Sequence, residues 1–319
     1  MNLEARDRRR AASVRLVLSD EKVLITGPAG QIAEPVVRSL APDNEVWGIA
    51  RFGDEAARAR IDGYGVKTMV VDLSDPDLSQ LPDDFTYVLH LAADQRPGLD
   101  YDAAIRVNAE GTGLLLRHCQ SAKAALVMST FSIYRPADDP AHAYAEGDPL
   151  GDANAIHAPT YSVSKIAQEA VARYCSRAYD LPVVLPRMNA AYGDNGGLPA
   201  IHFALAQAGE PIVTRWDPCT YCPIHEDDIC GQTEALLDAA RVGGTIVNWA
   251  GDEPVSVQQW GATFAEALGR PVEVRVGNFP GTQRSVVSDN TKRLAITGPC
   301  RVPFEEGLAR MLRARTPSK

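Results

Sequence analysis

The sequence predicts an α/β chain built on a doubly wound parallel sheet, with a smaller, discontinuous C-terminal lobe. Three observations predict it. Short apolar runs bounded by polar or turn residues recur through the first half at βα spacing. A glycine-containing turn joins the first run to a helical pattern. After Pro186 the texture shifts to more Gly, Pro and Asp, with shorter apolar runs. Brief, almost wholly apolar strands are the mark of a sheet covered on both faces, and repeated βαβ units make such a sheet parallel.

Taken in order, Lys22–Thr26 is the first strand, and Gly27-Pro28-Ala29-Gly30 is the turn that ends it. A helical pattern runs from Gln31 to Leu40, with Pro35 early enough to be tolerated. Glu45–Ala50, Met69–Asp72, Tyr87–Leu91 and Ala125–Ser129 read as further strands. Gly244–Trp249 has the pattern of a strand returning to the first sheet. The reading gives a basic extension at 1–19, a dinucleotide-binding domain at 20–186 with a return strand at 243–250, and a substrate lobe at 187–242 and 251–319.

Composition narrows the function. The 319 residues carry a formal net charge of −9, which argues against nucleic acid as a partner, because phosphate contacts demand a basic face. No run approaches the length of a membrane span, and the basic N-terminus lacks the apolar core of a secretory signal. Six cysteines without a small-domain framework fit a reducing compartment, so a cytoplasmic location is expected.

The chemistry starts at Thr26-Gly27-Pro28-Ala29-Gly30-Gln31-Ile32-Ala33, a TGxxGxxA pattern between strand and helix. Glycines let the backbone turn tightly and approach a pyrophosphate, and the helix N-terminus beyond supplies free N–H donors. Gly27, Ala29, Gly30, Gln31 and Ile32 are the candidate contacts. At the end of the second strand, an acid would accept the ribose hydroxyls of NAD, whereas an arginine suits the 2′-phosphate of NADP. Ala50 stands in the acid's place and Arg51 follows, so NADP is expected first and NAD second. Asp72 and Leu73 are placed to flank the adenine. Tyr161-Ser162-Val163-Ser164-Lys165 puts a phenol and an ammonium at i and i+4, on one helix face. A phenol of ordinary pKa about 10 carries protons at neutral pH only when a nearby cation favours its phenolate. Upstream, a strand ends in Ser129-Thr130, whose hydroxyl can meet a substrate oxygen beside the tyrosine.

With these motifs, the chain resembles the extended short-chain dehydrogenase/reductases, the NAD(P)-dependent epimerase/dehydratase group, from about Lys22 to Leu312. The likeness includes His90 to Ala93, Val107 to Thr112, Ser129 to Tyr134, Ala191-Tyr192-Gly193 and Ile224 to Asp228. The resemblance implies a Rossmann fold, Tyr161 as general acid/base, Lys165 as its tuner and ribose anchor, and Thr130 as partner of the substrate oxygen. It adds Leu91, Ala92, Ala93, Asn108 and Ser129 to the cofactor contacts of Tyr161 and Lys165. Asn108 has a second reading, as a brace for the strand beside the site, and His90 either contacts cofactor backbone or packs locally. A homodimer packed through the tyrosine helix is also implied.

The departures are informative. Where the family's dehydratases carry Asp and Glu after the threonine, this chain has Phe131 and Ser132, which cannot run an elimination. The anchors that hold a nucleotide diphosphate are also altered: Ala190 replaces an asparagine, Tyr221 an arginine, and Phe279 to Arg284 lacks an Arg-x-Gly-Asp signature. Arg215 and Arg284 are candidates to compensate. Phe131, Ser132, Asn189, Arg215, Trp216 and Tyr221 are the expected pocket residues, with Met188 a further wall. Cys219-x-x-Cys222, with His225 nearby, reads as buried thiols in preference to zinc ligands, and His225 and Asp228 as ties between the lobes. The expected function is hydride transfer between NAD(P) and a secondary alcohol or ketone of a small substrate. The alternatives are a nucleotide-sugar epimerase with tightly bound NAD and a non-catalytic dinucleotide sensor.

Overall fold

The computed structural model describes residues 18–155 and 157–316. The expected basic extension at 1–19 lies almost wholly outside the described residues. The main sheet has eight strands: β1 (Lys22–Thr26), β2 (Glu45–Ala50), β3 (Lys67–Val70), β4 (Tyr87–His90), β5 (Ala124–Val127), β6 (Ser129–Thr130), β7 (Val183–Met188) and β8 (Thr245–Trp249). Their order is β8-β7-β5-β4-β1-β2-β3, with β6 also on β7, and every pair is parallel. The order reverses between β1 and β4. At such a switch point the connections leave in opposite directions and open a crevice at the carboxyl ends of the strands.

Alternation along the strands feeds two apolar layers. Val23 and Ile25 face one side with Leu89, Leu126, Val184 and Val247. Leu24 faces the other with Val88, Ala125, Val127 and Leu185. On the first side lie α1 (Ala33–Leu40) and the helix Glu226–Asp238; on the second lie the helix around Leu115 and Leu116 and the helix Tyr161–Ala178. We label as α2 Glu55–Asp62, as α3 the segment Tyr101–Ile105 with its π-turn Arg106–Glu110 and continuation Gly111–His118, and as α4 Tyr161–Ala178. Pro35 falls in the first turn of α1, where its missing N–H breaks no helical bond.

The return strand expected at 243–250 is β8, paired with β7 in register Thr245 to Val184. One boundary differs from the expectation. The sequence puts Glu226–Asp238 with the lobe, yet Ile229, Leu236 and Leu237 pack into the first layer of the main sheet. Chain order places this helix after lobe strands, but its apolar stripe matches the uncovered sheet face. Other elements of the C-terminal half enclose a separate core of Phe203, Trp260, Phe264, Phe304 and Met311.

Candidate active site

A cleft of about 510 Å³ opens at the carboxyl ends of β1, β2 and β4. Gly27, Ala29, Gly30, Gln31, Ile32, Arg51, Asp72, Leu73, Leu91, Ala92 and Ala93 line it, all read from the sequence. Gly27 has φ +64°, and a Cβ there would stand 3.2 Å from Ala92 Cα. That left-handed turn and close approach are what only glycine allows cheaply. No side chain caps α1; its Glu34 N–H donates to Gly30 O at 2.9 Å and Pro35 has none, so what the helix start offers an anion is the positive end of its dipole beside the glycine turn. A cradle that a Cβ would fill, an uncapped helix start and a cleft of this size together fit a dinucleotide.

The far end of the cleft is set by Ala50-Arg51-Phe52-Gly53-Asp54. Phe52 takes φ +46°, an uncommon conformation for a bulky residue, and its ring lies 5.3 Å from the Arg58 guanidinium. Asp54 is consumed as cap of α2, its Oδ1 accepting from Ala56 and Ala57 N–H at 2.9 and 3.2 Å. Arg51 is exposed and forms no ion pair within 4 Å among the described residues; its charge helps hold the Asp72 carboxyl low, after the larger effect of the Ser74 backbone amide and hydroxyl. Asp94, Gln95 and Arg96 complete the rim. These three lie in an irregular loop after the HLAA run, and sequence reading missed them because nothing periodic marks their direction.

Tyr161 opens α4, half-buried, and Lys165 follows one turn on, its Nζ 5.9 Å from the Tyr161 ring centroid. Burial pushes the Tyr161 phenol up, while side-chain hydrogen bonding with Gln95 and Thr130 acts in the opposite direction. Thr130 and the cleft-lining Gln95 therefore both approach the Tyr161 phenol. Lys165 is buried, and its Nζ donates to the Met128 carbonyl at 2.5 Å. Desolvation brings its pKa down to about 7, with the Glu169 carboxylate opposing that fall. Thr130 Oγ1 also accepts from Ser132 N–H at 3.2 Å, capping the short helical turn Phe131–Ile133.

Several predicted site residues turn inward. Asn108 does not line the cleft: its Oδ1 accepts from Asp94 N–H at 2.7 Å, and its Nδ2 donates to Asp94 O and Ser164 Oγ. It braces the loop that carries Gln95. Ser129 is buried and donates to Glu169 Oε1 at 2.6 Å, which takes it out of reach of the cleft. Phe131 is 3% exposed and packs edge-on to Tyr134 and Tyr144, so its ring belongs to a core cluster and not to a pocket wall. Asn189, too, is committed to backbone, donating to Val286 O and accepting from Cys222 N–H. Met188 is buried in the first layer of the main sheet. In the lobe, Arg215 donates to Tyr221 Oη at 2.5 Å, and the Arg284 guanidinium lies 4.5 Å from the Trp216 ring centroid. Cys219 and Cys222 are buried free thiols, and Asp228 accepts from Arg301 and Val302 N–H, tying segments far apart in sequence.

Proton counting fixes His90, which is fully buried. Thr112 Oγ1 gives its proton to Asn108 O at 2.6 Å, so its 2.7 Å contact with His90 Nε2 needs the proton on the imidazole. Thr26 Oγ1 accepts from Leu91 and Ala92 N–H and gives its own proton to Nδ1 at 2.8 Å. His90 is thus the neutral Nε2–H tautomer, in keeping with a pKa lowered to about 3 by burial and by the Lys165 charge. It packs locally, joining the glycine turn to α3.

Comparison with known proteins places this geometry. The L-arabinose 1-dehydrogenase (NAD(P)(+)) of Haloferax volcanii is 26% identical over 172 residues, 51% of this chain and 64% of that relative, so less than two thirds of the relative's length is spanned. The UDP-glucuronic acid 4-epimerase of Bacillus cereus, solved with UDP-glucuronic acid and NAD, superposes with a TM-score of 0.79 at 22% identity over 92% of this chain and 98% of that one. A UDP-N-acetylglucosamine 4-epimerase from Methanobrevibacter ruminantium M1, solved with UDP-N-acetylmuramic acid, gives 0.79 at 19% identity over 93% and 98%. At such identities the two solved structures establish a common fold. Residues 23–213 match the model of the NAD dependent epimerase/dehydratase family. With a match over more than half its length, the chain belongs to that family.

Proposed function

We propose that this chain is an NAD(P)-dependent dehydrogenase or reductase, moving a hydride between the nicotinamide and a secondary alcohol or ketone of a small substrate that carries no nucleotide. The observation that supports it most is the set of groups around Thr130 and Tyr161. No carboxyl follows Thr130, where Phe131 is core and Ser132 is too weak an acid for elimination. Of the groups on the lobe side, Asn189 is spent on backbone and Tyr221 stands where a diphosphate would need an arginine. The sugar dehydrogenase from Haloferax volcanii, which by its name uses NAD(P)(+), supports the same class.

In this reading the dinucleotide supplies hydride acceptor or donor chemistry at its nicotinamide, held by Gly27, Gly30 and the start of α1. Thr130 and Tyr161 bind the substrate oxygen between them. Tyr161 takes the hydroxyl proton when an alcohol is oxidised and returns it when a ketone is reduced. Lys165 holds positive charge beside the phenol and so favours the phenolate. Gln95 steadies the same oxygen from the cleft side. Exposed Arg51, without a carboxylate partner, favours NADP, because a guanidinium pairs bidentately with phosphate. The reading also includes a homodimer through α4, where Val163 and Tyr174 are 46% and 68% exposed, beside Leu114 of α3 at 47%.

The test begins by denaturing purified protein and identifying any released dinucleotide by mass spectrometry. Protein isolated empty, binding added NADP(H) reversibly and oxidising an alcohol, supports the proposal. Stoichiometric, tightly held NAD supports the epimerase instead. Arg51→Ala should weaken NADP(H) binding by about tenfold or more while leaving NAD(H) nearly unaffected, from the loss of a charge-assisted pair.

A further inference from the structure

We propose that the substrate carries an oxyanion, either a carboxylate or a phosphate ester, that is held by Arg215 of the lobe. This rests on the reading above that the substrate's reacting oxygen sits at Thr130 and Tyr161. Arg215 follows the strand Ile212–Thr214 and is half-buried. Its Nη2 donates to Tyr221 Oη, and its guanidinium carbon lies 5.3 Å from the centroid of that ring. Its side-chain hydrogen bonds are to Tyr221 and Cys219, both neutral groups, and it has no carboxylate within ion-pair distance among the described residues. The fully buried arginines are built differently: Arg187 is paired with Glu169, and Arg293 with Asp252. Aspartates and glutamates number 41 against 32 lysines and arginines, so a missing partner does not come from a shortage of acids. Removing a guanidinium from water without an anion is costly, and a site that leaves one so has its anion arrive from outside.

Placement makes the substrate the source of that anion. Tyr221 packs against the Phe131, Tyr134 and Tyr144 cluster, and Phe131 follows Thr130 directly. Tyr221 therefore joins Arg215 to the cluster that contains the residue after Thr130. The neighbouring segment brings a second cation to this side of the molecule. Gln283 donates to Phe131 O and Tyr134 O, and Arg284 beside it lies against Trp216, its Nη1 donating to the Asp138 carbonyl. The Arg215 guanidinium sits at the hydroxyl edge of Tyr221 and the Arg284 guanidinium beside Trp216, and each keeps further N–H groups for the oxygens of a carboxylate or phosphate.

The test uses the full chain saturated with NADPH and calorimetric titration with four probes: D-glucuronate, D-glucose 6-phosphate, neutral D-glucose and UDP-glucuronate. At least one of the two small anions should bind saturably, tenfold or more tighter than glucose, and Arg215→Gln should weaken it by roughly 10- to 100-fold, the worth of a charge-assisted hydrogen bond. Arg215→Lys should recover part of that loss, and NADPH affinity should stay the same in both variants as the control for folding. Preference for glucuronate identifies the carboxylate, and preference for the phosphate ester the phosphoryl group. Equal binding of anion and glucose, no binding of either small anion, or an anion affinity untouched by Arg215→Gln overturns the inference. Tight UDP-glucuronate binding that depends on Arg215 would keep the oxyanion and sink the nucleotide-free substrate. Oxidation of a neutral alcohol with no role for Arg215 would do the reverse.

Discussion

Replacing Glu169 by alanine is the sharpest probe of how the site is held. Glu169 lies one turn beyond Lys165 on α4. Its Oε1 accepts from Ser129 Oγ at 2.6 Å and Arg187 Nε at 2.9 Å, and its Oε2 accepts from Arg187 Nη2 at 2.8 Å. The paired side chains are 2% and 6% exposed, so solvent screens them little. Such a pair adds little net stability over an apolar substitute, because desolvation offsets the attraction. Breaking one half is a different matter. Arg187 would keep only neutral acceptors, Tyr134 Oη and the Glu146 carbonyl, and a stranded buried charge costs about 3–5 kcal/mol. Urea denaturation of the full chain, followed by fluorescence, should show that loss in Glu169→Ala. The double variant Glu169→Leu with Arg187→Met should recover most of it. Glu169→Gln adds a functional readout, because the Glu169 charge supports the protonated Lys165. The limb of the kcat/KM profile that follows Lys165 should move to lower pH. A single variant destabilised by less than about 1 kcal/mol, the range of an exposed pair, would refute the reasoning, as would a double variant no more stable than the single.

Three further outcomes follow. His90 should remain the neutral Nε2–H tautomer at pH 5 by nitrogen-15 NMR, and since its pKa falls from 6.5 unfolded to about 3 folded, its contribution to stability is complete above about pH 6.5 and lost as pH falls through 3; a protonated ring at pH 5 would show the hydroxyl assignments to be wrong. Gly27→Ala should weaken NAD(P)H binding by about tenfold or more in a fluorescence titration, because the left-handed backbone alone costs an L-residue about 1–2 kcal/mol and the added methyl meets Ala92. Light scattering should find a dimer for the natural sequence and a monomer for Tyr174→Glu, which puts a charge on the exposed apolar face of α4; a monomeric natural chain would end the dimer reading.

The parts that were legible in the sequence are those whose physics is local. A parallel strand buried on both faces must be nearly all apolar, so Val23-Leu24-Ile25 announces itself. A turn that needs φ +64° beside another backbone selects glycine, so Gly27 announces the cleft. The i, i+4 spacing of Tyr161 and Lys165 needs only a helix to become a shared face. What was less legible is where a side chain points after folding. Asn108, Ser129 and Phe131 sit within motifs that border the site, yet each turns to an interior partner supplied from elsewhere: Asp94 and Ser164, Glu169, and the two tyrosines. The helix Glu226–Asp238 reads as part of the lobe for the same reason, since the main-sheet strands that it covers are distant in sequence.

A division among the polar groups follows from this. His90, Thr112, Asn108, Ser129, Glu169 and Arg187 are buried and have their hydrogen-bonding capacity met, most of it by groups from other elements. A group satisfied in this way is rigid, and the chain of bonds from Thr26 through His90 and Thr112 to Asn108 and Ser164 links the glycine turn to the tyrosine helix without touching the cleft. Arg51, Gln95, Tyr161 and Arg215 form the other set, each partly or wholly open to solvent. Water meets exposed Arg51 and Gln95 until a ligand displaces it, and half-buried Tyr161 and Arg215 keep hydrogen-bonding capacity that a ligand can use, so in the proposed reading the second set meets the ligands and the first explains why those groups stay in place. A substitution in the first set should therefore lower stability before it alters selectivity, whereas one in the second should change which cofactor or substrate is accepted with the fold intact.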